Sequence, residues 1–285
     1  MQSQLEDHLT RYTDLPFDLH VGDLDNLWAD ARHETVPRHL VITATDLHQR
    51  NIEERLREQK RPQSNFRFVR IGELAGDITR PSPAVSTAMD RVDRLMLIRE
   101  VIANTDEPVY DHLADVLGRP LEKHIERIER TRSEFELVTG FHPTRMDAFA
   151  SIIEEQRASA REDTLDLLAG VSKLQNDLQR RLSEEENHQP TQAVSKTSLL
   201  CRAFGVLGDD PSVWASVYSD IETLSVTGTS MLTAPIEDLC RLVSQTTDVD
   251  VHLHLREVSG PQIGRQLSPQ SDIETFGSQG VFEWR

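Results

Sequence analysis

Donor groups that suit phosphate oxygens follow one short apolar run of the sequence, within LVITATDLHQRNIEERL at residues 40–56. The candidate binding residues of this junction are Thr43, Thr45, His48 and Arg50. Hydroxyl groups, the free N–H groups of a helix N-terminus and one guanidinium can together hold an anionic group. Asp46 is the predicted N-cap of the helix, with Gln49 three residues later as in a capping box. The alternative is that Thr45 and Asp46 only cap the helix and that Arg50 is solvated.

A second pair of basic residues, Arg67 and Arg70, lies in the strand-like segment FRFVRI. Both are candidates for the same kind of contact. The alternative is that they belong to a charged edge strand, where they would protect the sheet against aggregation.

Two histidines raise the question of a metal. His252 and His254 are two residues apart in VDVHLHLREV, so their rings project from one face of a predicted strand, and this spacing can chelate zinc. A zinc site needs further ligands, and the nearby Asp248 and Asp250 suit a turn and a strand start better. We therefore predict no metal site and no cofactor. Since no Ser/His/Asp or Cys/His order stands out, no catalytic residue is predicted, and whether the protein is an enzyme stays open.

The elements that would position these residues form three parts. Residues 16–80 alternate strand-like and helix-like segments, which is typical of a parallel sheet with helical crossovers. From residue 86 onward, apolar residues recur at the helical period, and the last part returns to strands and helices. We predict an α/β domain in two parts, residues 1–85 and residues 196–285 with a loop-rich tail. An all-helical subdomain at residues 86–195 is inserted between them.

Two expectations concern the helices of the inserted part. One predicted helix has Val92 and Met96 on its apolar face, and another starts with Pro120 and ends just before Gly140.

Cys201 and Cys240 lie in apolar helical runs, so they are predicted to be buried thiols in a reducing compartment.

The composition is strongly acidic. The 285 residues include 48 Asp and Glu against 31 Lys and Arg, a net charge of -17, and lysine occurs only at positions 60, 123, 173 and 196. This balance indicates a halophilic protein, because molar salt screens charge repulsion over about 3 Å. The alternative is an ordinary acidic protein. The sequence has no secretory signal and no apolar run long enough to span a membrane, so we expect a cytoplasmic location.

The layout of an α/β unit, a helical insertion and a resumed α/β unit resembles the first half of superfamily 1 helicases. LVITATDLHQRNIEERL and FRFVRIGELAGDI are similar to consecutive strand–helix segments of UvrD-like helicases, and AMDRVDRLMLIREVI resembles the entry to their helical subdomain. LSVTGTSMLTAPIEDLCRLV is most similar to the acidic-motif region of AddB-like subunits of helicase–nuclease complexes. The resemblance implies a P-loop-NTPase-like parallel sheet.

The ATP motifs of that family do not occur in this chain. An ATP-hydrolysing member needs G-x-x-x-x-G-K-[ST] after its first strand, whereas here DLHVGDLDNLW offers Gly22, two aspartates and no lysine. The magnesium-binding Asp-Glu pair is replaced by Gly228, Thr229 and Ser230. The resemblance therefore implies a degenerate fold without a P-loop.

The resemblance also supplies the expected function. In active relatives the threonine-rich junction contacts single-stranded DNA, so we expect weak DNA binding by the six candidate residues. The chain would be a catalytically silent, DNA-binding or scaffold part of a helicase–nuclease system in DNA repair or recombination. Its partner would be another subunit or a downstream domain, since the tail ends as if a domain were missing. The alternative is a protein–protein interaction module that lost DNA and ATP binding, which the charge of -17 would suit.

Overall fold

The computed structural model describes residues 15–22, 24–80, 87–105, 107–155, 158–184, 192–229 and 232–257. These form two compact units. One contains the described residues of 1–78 and 206–276, and the other contains those of 79–205. In chain order, the second unit lies between the two segments of the first.

The first unit is built on a parallel sheet of five strands in the order β1-β7-β6-β2-β3. The strands of the chain are β1 (Asp18–Val21), β2 (His39–Thr43), β3 (Phe66–Val69), β4 (Thr87–Ala88), β5 (Gln192–Ala193), β6 (Thr223–Thr229) and β7 (Asp250–Leu255). β4 and β5 pair in parallel as a separate two-stranded sheet. The α/β fold with a parallel, P-loop-NTPase-like sheet is therefore confirmed.

Eleven α-helices accompany the strands in the described parts of the chain. They are α1 (Asp25–Ala29), α2 (Asp46–Glu58), α3 (Ile71–Thr79), α4 (Arg91–Ala103), α5 (Pro108–Leu117), α6 (Ile125–Thr139), α7 (Pro143–Glu154), α8 (Ala158–Glu184), α9 (Lys196–Asp209), α10 (Ser212–Val217) and α11 (Ala234–Thr246). No helix within the described residues is long and apolar enough to cross a membrane.

Alternation along the strands gives the five-stranded sheet two different faces. One face carries Val41 and Phe66, which pack against buried side chains of α1 and α2, namely Leu27, Trp28, Ile52 and Leu56. The opposite face presents fully buried leucines such as Leu40, Leu224 and Leu253. Burial of apolar surface on both faces is what a parallel sheet requires.

The second unit is helical from α4 to α8 in its described part, with two buried clusters. Leu113, Ile128 and Leu174 lie at the centre of one cluster, and Met146 and Leu168 at the centre of the other. Two details of the sequence interpretation are wrong here.

Two of the residues assigned to the apolar face of α4 are wrong, since Val92 and Met96 are 65% and 64% exposed, whereas Ile98 is fully buried. The helix predicted from Pro120 begins at Ile125, because a 3-10 turn at Leu121–His124 precedes it. Its predicted end is confirmed by Gly140, which adopts the left-handed conformation with φ of 61°.

Candidate functional site

The junction of β2 and α2 lies at the carboxyl edge of the parallel sheet. Thr45 has an extended backbone, with φ of -148° and ψ of 158°, and its Oγ1 accepts the backbone N–H of His48 at 3.2 Å. Thr45 is therefore the N-cap, and the assignment of the cap to Asp46 is wrong, since Asp46 is already the first helical residue. The first turn of α2 thus has one of its free N–H groups satisfied and one carboxylate beside it.

The partly buried imidazole of His48 lies at the carboxyl end of β6. It lies against Gly228, whose φ is 75°, and a Cβ at that position would be 2.5 Å from His48 Cδ2. Only glycine fits both the backbone conformation and the contact. Burial lowers the pKa of His48, and the nearby charges of Arg256 and Arg55 lower it further. The surroundings of the ring therefore favour its neutral form.

Two buried threonine hydroxyls belong to the last residues of β2 and β6. Thr43 Oγ1 and Thr229 Oγ1 have no hydrogen-bond partner within the described residues, and neither does His48 Nε2. Thr43 is 2% exposed, so its side chain is covered by other residues. Among the predicted residues of the junction, Thr45 and Arg50 are the exposed ones.

The three predicted arginines do not form one basic strip. Arg70 forms an ion pair with Asp46 in the first turn of α2, which places Arg70 beside the junction. Arg67 lies 3.2 Å from Asp77 and stacks over the ring of Tyr218 at 4.8 Å. β3 is an edge strand of the described sheet, so the alternative interpretation of Arg67 agrees with its position. Arg50 has no ion-pair partner in the part of the chain that the structure describes.

Sequence reasoning missed one cation at this edge. Arg256 follows β7 directly, is exposed, and lies near enough to His48 for its charge to affect that pKa. Its position immediately after the alternating strand could have identified it, since residues at this point of a parallel strand lie at the ligand-binding edge. Arg256 therefore joins Thr45, Arg50 and Arg70 as an exposed or partly exposed donor around His48.

The end of β1 has a different character. Gly22 has a φ of 72°, and a Cβ at that position would be 3.0 Å from Cβ of Glu257. α1, which follows, has five residues and carries Asp25 in its first turn. Glu257 and Asp25 place two acidic residues near the end of β1, and the segment from β1 to α1 contains no lysine. A triphosphate would meet negative charge there.

A row of polar side chains crosses the α1-covered face of the sheet. His39 Nδ1 lies 2.8 Å from Asp30 Oδ2, and His39 Nε2 lies 2.8 Å from Ser225 Oγ. The hydrogen bond and charge of His39 lower the pKa of Asp30. The sequence did not reveal this Asp-His-Ser contact, because its members are far apart in the chain. Ser225 is fully buried, so no substrate can reach its hydroxyl, and the contact is structural.

Comparison with known families gives one match. The model of the family described as Halobacterial UvrD-like protein matches residues 5–283. No curated protein matches the chain. The family match covers both units and therefore supports the helicase-like character of the fold.

Proposed function

The chain belongs to the Halobacterial UvrD-like protein family, and on that premise we propose that it is a helicase-like module without ATPase activity that binds single-stranded DNA weakly. Within a helicase–nuclease system for DNA repair or recombination it would be a DNA-binding or scaffold part, joined to a partner subunit or a further domain. The single observation that carries this proposal is the set of residues at the carboxyl edge of the sheet. These residues lack the groups that bind ATP in the resembled family, but they include exposed donors for phosphate oxygens.

The proposed lack of ATPase activity rests on two strand ends. At β1, Gly22 packs against Glu257 and no lysine follows, so neither a phosphate-binding loop nor its cation is available. At β6, the His48 imidazole packs against Gly228 where the resembled family places carboxylates for magnesium. The proposed lack of ATPase activity is tested by two measurements in concentrated KCl. Calorimetry measures nucleotide binding, and a phosphate-release assay with DNA present measures turnover. Micromolar affinity or DNA-stimulated turnover would contradict it.

The proposed DNA contact rests on exposed donors around His48. Arg256 and Arg50 have no ion-pair partner among the described residues, and Thr45 presents a hydroxyl beside the N-terminus of α2. Arg70 contributes less, because Asp46 already neutralises it. Each phosphate contact to a single strand contributes about 0.7 to the slope of log affinity against log salt. With two free arginines we expect weak binding and a shallow slope of about 1–2.

Fluorescence anisotropy with a labelled single-stranded oligonucleotide, followed over a range of KCl concentrations, tests the contact. Arg50→Glu and Arg256→Glu should each remove measurable binding without lowering the melting temperature, since both side chains are exposed. Arg57→Glu is the matched control, because Arg57 is exposed on the last turn of the same helix. Equal binding by all variants, or loss of binding in the control as well, would refute the assignment of this edge.

The second candidate function is a protein–protein interaction module. It is favoured by Val92 and Met96, two large apolar side chains exposed on one helix, and by the net charge of -17. If the wild-type chain binds no DNA at moderate salt, this second function takes the place of the first.

A further inference from the structure

Three potential metal ligands meet on two neighbouring strands at the edge of the sheet. β1 and β7 are parallel, with Asp18 opposite His252 and His20 opposite His254. Because side chains alternate along a strand, Asp18, His20, His252 and His254 all project from the same face. The sequence offered only the pair on β7, and the pairing of the strands supplies the missing ligands from β1.

The ligand atoms of three of these residues lie within 4.8 Å of one another: Asp18, His20 and His252. His20 Nε2 is 3.1 Å from His252 Nδ1, and Asp18 Oδ2 is 3.5 Å from the same nitrogen. Two ligands about 2.0–2.1 Å from a tetrahedral zinc ion are themselves about 3.3–3.4 Å apart. The two separations from His252 Nδ1 lie on either side of this value, and all three ligand atoms are within 4.8 Å of one another, so small side-chain adjustments would bring them to the spacing of a bound ion.

His254 is not a member of this set. Its ring stacks on His20 with centroids 4.6 Å apart, and its Nε2 is 3.5 Å from Ser225 Oγ. The stacking restricts the His20 ring, and the side-chain amide of Asn26 lies 3.2 Å from His20 Nε2 and 3.4 Å from Nδ1. A metal ion bound at His20 Nε2 would replace the amide contact to that nitrogen, because both use the same lone pair.

The cluster is accessible from one side. The Asp18 side chain is 74% exposed and that of His252 is 17% exposed. An ion can therefore reach the cluster from solvent. Two imidazoles and one carboxylate suit divalent transition metals, which prefer nitrogen ligands, rather than Mg²⁺ or Ca²⁺, which prefer sets of oxygen ligands.

We propose that Asp18, His20 and His252 form a binding site for a divalent transition-metal ion, with Zn²⁺ as the ion that the ligand set fits best. The bound ion would join β1 to β7 at the sheet edge. This site uses none of the residues of the proposed DNA contact, so the two proposals stand or fall separately.

The test uses the full chain without a histidine-containing tag, freed of metal by a chelator. Zn²⁺ is titrated by calorimetry and Co²⁺ by visible spectroscopy, in concentrated KCl with excess Mg²⁺ to occupy unspecific acidic sites. We expect one saturable Co²⁺ ion per chain, with d–d bands that Zn²⁺ removes. Asp18→Asn should weaken Zn²⁺ binding about tenfold or more, because even changes outside the direct ligands cost about 10- to 100-fold. His252→Gln should abolish binding.

His33→Gln is the control, because His33 is an exposed histidine outside the cluster, and this variant should bind as the wild type does. Asp18 is exposed, so Asp18→Asn keeps the fold and decides the question even if His252→Gln does not fold. Absence of saturable Co²⁺ binding in the wild type, undiminished binding by Asp18→Asn, or an equal loss in His33→Gln would each overturn the proposal.

Discussion

Replacing Arg132 by methionine should strongly destabilise the helical unit. Arg132 is fully buried on α6, and its guanidinium contacts Glu129 Oε2 at 2.7 Å, Glu136 Oε2 at 3.1 Å and Gln175 Oε1 at 2.8 Å. Burial alone would lower the pKa of Arg132, but Glu136 and Glu129 raise it above its ordinary value. The arginine therefore stays charged and compensates two carboxylates that are also buried.

The size of the effect follows from what each carboxylate keeps. Glu129 retains an ion pair with Arg94. Glu136 also accepts hydrogen bonds from two neutral donors, the hydroxyl groups of Ser195 at 2.7 Å and Ser198 at 2.6 Å. Removing one partner of a buried ion pair costs about 3–5 kcal/mol. In a chain of this size that loss lowers the melting temperature by about 6–20 °C.

Denaturation followed by circular dichroism measures the change, with Arg130→Met as the control. Arg130 is exposed on the same helix, so its replacement should change the stability by less than about 0.5 kcal/mol. Adding Glu136→Gln to Arg132→Met removes one of the two buried carboxylates that Arg132 compensates and should recover part of the loss. An Arg132→Met protein as stable as the Arg130→Met control would refute the reasoning.

Two further predictions concern the carboxyl edge of the sheet and one concerns acid stability. Gly228→Ala should lower the free energy of unfolding by about 1–2 kcal/mol because of the left-handed backbone alone. The contact between the new Cβ and His48 should lower it further, so the loss should be smaller when His48 is also replaced by alanine. Burial lowers the pKa of His48 below 6.5, so on acidification the imidazole is protonated in the unfolded chain before it is protonated in the folded one. The free energy of unfolding should therefore fall as the pH drops below 6.5, and it should fall less steeply in the His48→Gln variant. Burial alone would raise the pKa of Glu129, but Arg132 and Arg94 lower it below 4.5. The stabilisation that charged Glu129 gives the folded state is complete above that pH and should be lost on further acidification. Equilibrium denaturation in a pH series measures this loss.

The fold class could be predicted because its signals are local. Alternation in VDVHLHL and the apolar run before Thr43 identify two strands of the sheet, and the structure has both, as β7 and β2. The face of α4 could not be predicted in the same way. Val92 and Met96 fit a helical stripe as well as Leu97 and Ile98 do, and only the packing of neighbouring helices decides which residues are buried.

The candidate site was less predictable, because its members come together through the order of the strands. Thr45 and His48 were found from the strand-to-helix junction. The position of Arg256 directly after β7 could have identified it as an edge residue, but nothing in the sequence places the end of β7 near His48. The unknown order of the strands also explains why the sequence did not identify the full set of proposed metal ligands. The spacing of His252 and His254 suggested one chelating pair, but the pairing of β1 with β7 favours His20 and Asp18 as the companions of His252.

The contact between His48 and Gly228 bears on function more directly than the missing motifs do. In open parallel sheets, ligands bind in the crevice beyond the carboxyl ends of the strands. Here the imidazole of His48 from α2 packs against Gly228 at the carboxyl end of β6, and the left-handed glycine provides the space for it. Because a side chain of the protein itself takes up this space, the proposed function expects a phosphate backbone bound by the exposed donors Arg50 and Arg256, and not a small molecule held between the strands.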